Sequence, residues 1–169
     1  MKRLIINADD FGMSKEVNDG IKRAIKAGAV NSVSVMVNMP YFEDAVRFLK
    51  LHPEVRVGLH FNITEGAPIS SPHAASTLLR EDNNFYYWMN LVVKFILRHV
   101  SLKQIENELM LQHTKLASTG LEITHIDTHH HIHLFPPFFK LVLGFARRKG
   151  ISTLRCRRFR LSSLTLAFF

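Results

Sequence analysis

Three short segments carry the residues with the most chemical potential: Asp9-Asp10, His60, and the run His125-Ile126-Asp127-Thr128-His129-His130-His131-Ile132-His133. The run is the strongest signal. On an extended backbone alternate residues share a face. His125, Asp127, His129, His131 and His133 are therefore expected on one side, with Ile126 and Ile132 on the other. Such a face is too polar for an apolar core. Neutral imidazole is the commonest metal-ligating side chain, and a nearby Asp can orient a ligating ring. The run is internal, interrupted and flanked by strand and helix signals, which separates it from a metal-sticky tract or a purification tag.

His60 lies in Gly58-Leu59-His60-Phe61-Asn62. A lone histidine at a strand end is more often a hydrogen-bonded structural residue than a ligand. Its value rises because a second histidine cluster is available on a parallel strand. Asp9 and Asp10 are adjacent, so they point in different directions and can take two roles, one holding a cation and the other free as a base. A helix cap and turn is the bland reading of such a pair. Ser14 already offers that cap, however, and two acids on one rim repel unless a cation sits there. One Asp and two His make a mixed oxygen and nitrogen set that suits zinc, manganese, iron or cobalt better than magnesium. A metal held this way can lower the pKa of a bound water and polarise a carbonyl, which is hydrolytic chemistry.

The remaining reactive types carry less. His52, His73, His99 and His113 stand alone and are read as surface residues. Cys156 has no partner pattern. Ser32 and Ser34 lack the elbow motif of a serine nucleophile. Phe85, Tyr86, Tyr87 and Trp88 read as core or lid packing rather than a sugar platform.

The elements that must position these groups alternate between strand and helix. Arg3–Ala8 is apolar and β-branched and reads as a buried strand. A helix follows Ser14 as cap, with Val17, Ile21, Ala24 and Ile25 on one face and Gly28 as stop. Val33, Val35 and Val37 mark a second strand. A helix after Pro40 buries Phe42, Ala45, Val46 and Leu49, and Val55–Phe61 is a third strand. A Ser/Pro-rich loop covers 67–76, and helices are expected over 85–99 and 102–119. Ile123–Thr128 is a fourth strand, a helix runs from Pro136 to Lys149, and Ile151–Cys156 reads as a fifth strand. This alternation means parallel strands with helical crossovers. Neither a dinucleotide fingerprint nor a P-loop follows the first strand. The polar clusters fall instead at the C-terminal ends of three strands, which share one rim in a parallel barrel. The fold class read from the sequence is α/β, a barrel-like (β/α) arrangement of deformed TIM type.

Composition bounds the rest. The chain has 169 residues, 47% hydrophobic and 21% charged, with 10 His and one Cys. This is a globular composition of single-domain size without a disulfide framework. The apolar stretch around Phe85–Ile96 is interrupted by Asn90 and Lys94 and is short for a membrane span. The N-terminus shows no secretory signal, so the expected location is cytoplasmic. The formal charge of +8 is uneven. Seven of the 22 Lys and Arg lie between Arg147 and Arg160 with no acid among them. That run reads as a solvated helix end and a basic tail, not a nucleic-acid surface.

Asn7-Ala8-Asp9-Asp10-Phe11-Gly12, Gly58-Leu59-His60-Phe61 and the histidine run resemble the three signature segments of the YdjC-like carbohydrate deacetylases. That family includes chitooligosaccharide deacetylases and deacetylases linked to hopanoid synthesis. Order and spacing agree over residues 2–154. The resemblance implies a (β/α) barrel-like fold and metal-dependent removal of acetyl groups from N-acetylated sugars. It implies Asp10, His60 and His129 as metal ligands and Asp9 as the general base. Asp127, His125, His131 and Asn62 are expected around them or on the substrate. The cofactor implied is a divalent ion, magnesium by the resemblance, with zinc allowed by the ligand chemistry. The partner implied is a small N-acetylated carbohydrate, with no nucleic acid and no membrane, and homo-oligomers are allowed. Residues 1–154 would be the N-terminal part of the barrel and 155–169 an atypical basic and apolar tail, so the chain reads as C-terminally truncated. The alternatives are an inactive or weakly active metal-binding fragment, or another metal-dependent barrel hydrolase or isomerase acting on phosphosugars.

Overall fold

The computed structural model describes residues 4–155. Cys156 and the rest of the basic tail lie outside the described residues, as does Arg3 at the expected start of the first strand. The strands are β1 (Asn7–Phe11), β2 (Ser32–Val35), β3 (Arg56–Phe61), β4 (Ile123–Thr128) and β5 (Thr153–Leu154). The helices are α1 (Lys15–Lys26), α2 (Phe42–Lys50), α3 (Trp88–Ile96), α4 (Leu102–Ala117) and α5 (Pro136–Arg148). All strand pairs are parallel, and their order in the sheet is the order in the chain. A sheet without an order reversal is wound in one direction, as in a barrel wall, whereas a doubly wound sheet reverses at its centre.

Local chemistry accounts for the elements. The Ser14 side chain accepts the Val17 amide at 3.2 Å, capping α1 as its position predicts. Pro136 and Pro137 open α5, where a missing N–H costs nothing. One face of the sheet carries Val33, Val35, Val57, Leu59, Phe61 and Ile126, which are buried in a continuous apolar core with Ile21, Ile25, Leu49, Leu109, Leu116, Val142 and Phe145 from the helices. Fully burying side chains of this size contributes about 1.5–3 kcal/mol each.

The ladder of β1 begins at Asn7, later than the sequence pattern indicates. Leu4, Ile5 and Ile6 are largely exposed because β1 is an edge of the sheet among the described residues. Their backbone is engaged: the Ile6 carbonyl accepts from the amides of Asn31 and Ser32. The aromatic run divides as its environment dictates, with Phe85 buried and Tyr87 and Trp88 exposed at the start of α3. His113 is half-buried against Phe145, not on the open surface. Among the described residues, no helix is long and apolar enough to cross a membrane.

Candidate active site

The other face of the sheet is polar. Register places Ser34, Gly58 and His125 side by side, with His60 opposite Asp127 one step further along. With a period of two, Asn7, Ser32, Ser34, His60, His125 and Asp127 all belong to this face. In β1 the ladder shifts between Ala8, opposite Val33, and Phe11, opposite Val35. Asp9 and Asp10 therefore stand against one residue, Ser34, as a β-bulge. Asp10 adopts φ 64°, a left-handed conformation. A bulge re-aims side chains next to functional sites, and here both adjacent carboxylates reach the same rim. Gly12, at φ 106°, completes the turn. A Cβ there would lie 2.8 Å from the Met36 carbonyl oxygen.

The two carboxylates have different partners. Asp10 Oδ1 is 3.0 Å from His60 Nε2 and 2.9 Å from His129 Nδ1. Asp9 is held by Arg155 through two bonds, Nη1 to Oδ2 at 2.7 Å and Nη2 to Oδ1 at 2.8 Å. Asn7 Nδ2 donates a third bond to Asp9 Oδ1 at 2.7 Å. The outer nitrogen of His60, Nδ1, is 2.6 Å from Asp127 Oδ1. Asp127 Oδ2 accepts from Ser34 Oγ at 2.7 Å and pairs with Arg155 at 3.0 Å.

Protonation follows from these contacts. Burial disfavours the Asp10 carboxylate, but hydrogen bonds from His129 and His60 outweigh it and hold the group well below the usual carboxylate range. Burial likewise disfavours a charged His60, yet Asp10 and Asp127 on its two nitrogens push it up to about 9. Asp127 is lowered because His60, Arg155 and Ser34 together overcome its burial. His125 is pushed down by burial. Its ring lies flat against the backbone, where a Cβ on Gly58 would sit 2.2 Å from Nε2.

The donor chemistry fits a divalent cation. Asp10, His60 and His129 each offer one ligand atom, and these atoms all lie within 4.8 Å of one another. The 2.9 and 3.0 Å contacts at Asp10 are a few tenths of an ångström below the ligand–ligand spacing of about 3.3 Å in a tetrahedral site with metal–nitrogen bonds near 2.0 Å. Asp10, His60 and His129 would hold such a cation in place of the protons that their facing atoms share.

The histidine run departs from simple alternation. β4 ends at Thr128, and residues His129–Leu134 form a kinked 3-10 segment in which His130 and His131 both have φ 52°. A left-handed pair turns the chain, so His131 and His133 do not continue the strand face of His125 and Asp127. Of the later residues, His129 meets Asp10 through Nδ1. His130 Nδ1 is 3.1 Å from Thr64 Oγ1, and His133 Nε2 is 2.7 Å from the Arg155 carbonyl. His131 and His133 line a cleft of about 240 Å³ with Asp9, Leu134 and Arg155.

Asn62, expected near the site, organises the loop after β3. Its Oδ1 accepts from the amides of Thr64 and Glu65, and its Nδ2 donates to the Glu65 carbonyl at 2.7 Å. The loop brings in Glu65, a residue the sequence reading missed, whose Oε2 is 3.1 Å from His129 Nε2. Arg155 is a second site residue without a signal of its own in the sequence, because it lies within the basic run 147–160. Ser34, which lacks the elbow of a serine nucleophile, is a donor to Asp127.

A family profile described as YdjC-like protein matches residues 3–167. The chain is 40% identical over 144 residues to a carbohydrate deacetylase of Brevibacillus brevis, covering 85% of this chain and 55% of the relative. It is 38% identical over 151 residues to a chitooligosaccharide deacetylase of Klebsiella pneumoniae, covering 88% and 57%. A crystal structure of a putative cellobiose-phosphate cleavage protein from Enterococcus faecalis superimposes with a TM-score of 0.80 at 29% identity, covering 88% of this chain and 57% of that one. The chain thus spans little more than half the length of the relatives it matches.

Proposed function

This chain belongs to the YdjC-like family, and on that premise we propose that it carries the metal-binding half of a hydrolase that removes acetyl groups from N-acetylated sugars. The observation that carries this reading is the separation of two neighbouring carboxylates, Asp10 with two imidazole nitrogens and Asp9 with Arg155. The similarity to proteins named carbohydrate and chitooligosaccharide deacetylases supports the substrate class.

Asp10 Oδ1, His60 Nε2 and His129 Nδ1 would hold the divalent cation, magnesium by family resemblance or zinc by the affinity of imidazole. Such a cation supplies Lewis acidity, acidifying a water and polarising an acetamide carbonyl. Asp9 is the general base. Its Oδ1 already accepts from Asn7 and Arg155, and among the described residues its Oδ2 accepts from Arg155. A carboxylate oxygen has two lone-pair directions, so Oδ2 keeps one for an incoming proton. The bidentate Arg155 fork fixes the plane of that carboxylate. Asp127 orients His60 through Nδ1, leaving Nε2 to face Asp10. The cleft beside Asp9, bordered by His131 and His133, offers room for a sugar substituent.

The test is acetate release from diacetylchitobiose with added divalent metal. Turnover that needs the metal and is lost in Asp9→Asn and His129→Ala supports the reading. Turnover indifferent to chelation contradicts it. A phosphosugar is the second reading, favoured by the name of the Enterococcus protein. A phosphorylated disaccharide assayed in parallel separates the two.

A further inference from the structure

We infer that Glu65 is a positioning residue for His129, the counterpart of Asp127 on His60, so that each imidazole facing Asp10 is steered by its own outer carboxylate. This rests on the cation site proposed above and assigns a residue that reading does not use.

The two rings are arranged alike. His60 turns Nε2 to Asp10 at 3.0 Å and Nδ1 to Asp127 at 2.6 Å. His129 turns Nδ1 to Asp10 at 2.9 Å and Nε2 to Glu65 at 3.1 Å. Both nitrogens of each ring face a carboxylate; were a cation to take the lone pair of the inner nitrogen, the outer nitrogen would keep the one remaining ring proton, which the outer carboxylate accepts. Glu65 thereby selects Nδ1 of His129 as the inner nitrogen, just as Asp127 selects Nε2 of His60. The two rings use opposite nitrogens because one comes from a strand and the other from the kinked segment after β4.

A loop residue can steer a ring only if the loop is fixed, and this one is. The Glu65 amide donates to Asn62 Oδ1 at 3.1 Å. The Glu65 carbonyl accepts from Asn62 Nδ2 at 2.7 Å and Asn38 Nδ2 at 3.1 Å. Asn62 is itself buried, and its backbone amide and carbonyl are both bonded to Gln112 of α4. Gln112 donates to the buried Glu108, which accepts the amides of Ile69 and Ser70 at the other end of the loop. The main chain carrying Glu65 is thus clamped from β2's following loop, from β3's end and from α4. The carboxylate itself is 37% exposed where Asp127 is 0%. Its hold on the ring is therefore weaker than Asp127's, and its removal does not leave a buried charge unpaired.

A rival use of the same atoms is direct ligation, because Glu65, His129 and His130 also form a group able to hold a cation. The experiment distinguishes the two. Zinc is titrated into the metal-free full chain against a chromophoric competitor, for the wild type, Glu65→Ala and Glu65→Gln. Long-range proton–nitrogen spectra of the zinc-loaded protein report which nitrogen of His129 binds the metal. The expected result is one zinc per chain, His129 bound through Nδ1, and an affinity lower by roughly tenfold in Glu65→Ala. A smaller loss is expected in Glu65→Gln, whose amide oxygen still accepts from Nε2. The His60 signals stay unchanged. Unaltered affinity in Glu65→Ala overturns the inference, as does binding of His129 through Nε2. A second zinc in the wild type that Glu65→Ala abolishes overturns it in favour of ligation. A wild type that binds no zinc contradicts the cation site itself and is distinguishable from all of these. Thermal melts of the metal-free variants confirm that the comparison is between folded proteins.

Discussion

Gly58→Ala tests the packing of the polar face without involving metal or substrate. Gly58 sits between Ser34 and His125 in the register, and its φ is not left-handed. The glycine is needed for space alone. An added Cβ would lie 2.2 Å from His125 Nε2 and 2.4 Å from two ring carbons. The ring must leave, giving up its contacts to Ser34 Oγ at 3.2 Å and Thr124 Oγ1 at 2.9 Å. Overpacking costs about 1–3 kcal/mol and each lost hydrogen bond about 1 kcal/mol. Against this, alanine lowers the entropy of the unfolded chain by about 0.4–1 kcal/mol. The net expectation is a loss of about 2–4.5 kcal/mol in Gly58→Ala. In a His125→Ala background the clash is gone and only the entropy gain remains, so the same substitution should stabilise by about 0.5 kcal/mol. A double-mutant cycle by urea unfolding reads this change of sign. If Gly58→Ala is as stable as the wild type, or destabilises equally with Ala at 125, the reasoning is wrong.

Arg155→Met leaves the buried Asp127 and the half-buried Asp9 without their guanidinium, and a loss of about 2 kcal/mol is expected after discounting for solvent access. Arg155→Lys should restore only part of it, because an ammonium cannot make the bidentate contact; equal stability of all three proteins by denaturant titration would contradict the assignment. His60 gives the metal-free protein a pH dependence. Its folded pKa, about 9, lies above the ordinary 6.5, so its contribution is complete below pH 6.5 and is lost as pH rises through 9. At 1.36 kcal/mol per pKa unit the whole change is about 3 kcal/mol, read as a falling urea midpoint in chelator that flattens in His60→Gln. Gly12→Ala meets both a left-handed φ and a backbone oxygen at 2.8 Å, and a melting point no lower than the wild type would argue against that turn.

The sequence pattern exposes whatever depends on local chemistry. The bounds of β4, the Ser14 cap and the Pro136 start of α5 follow from periodicity, capping and proline geometry. The convergence of Asp10, His60 and His129 follows from the shared rim of parallel strands. Other features depend on tertiary structure and leave weaker traces. The left-handed pair His130 and His131 contains no glycine to announce the turn, so alternation is extrapolated too far. The bulge at Asp9 and Asp10 appears only in the register with β2. Glu65 is one acid in a loop, and the single local sign of its fixed position is Asn62 three residues earlier, a residue type that bonds its own following backbone. Arg155 is indistinguishable by type from the cations around it, and only the fold places it against Asp9.

The division of labour between the two adjacent aspartates is the central claim, and single-turnover acetate release by metal-loaded Asp9→Asn tests it most directly. This variant is expected to bind one divalent cation per chain like the wild type and to release no acetate from diacetylchitobiose. Acetate release at the wild-type rate, or loss of cation binding in Asp9→Asn, would contradict it.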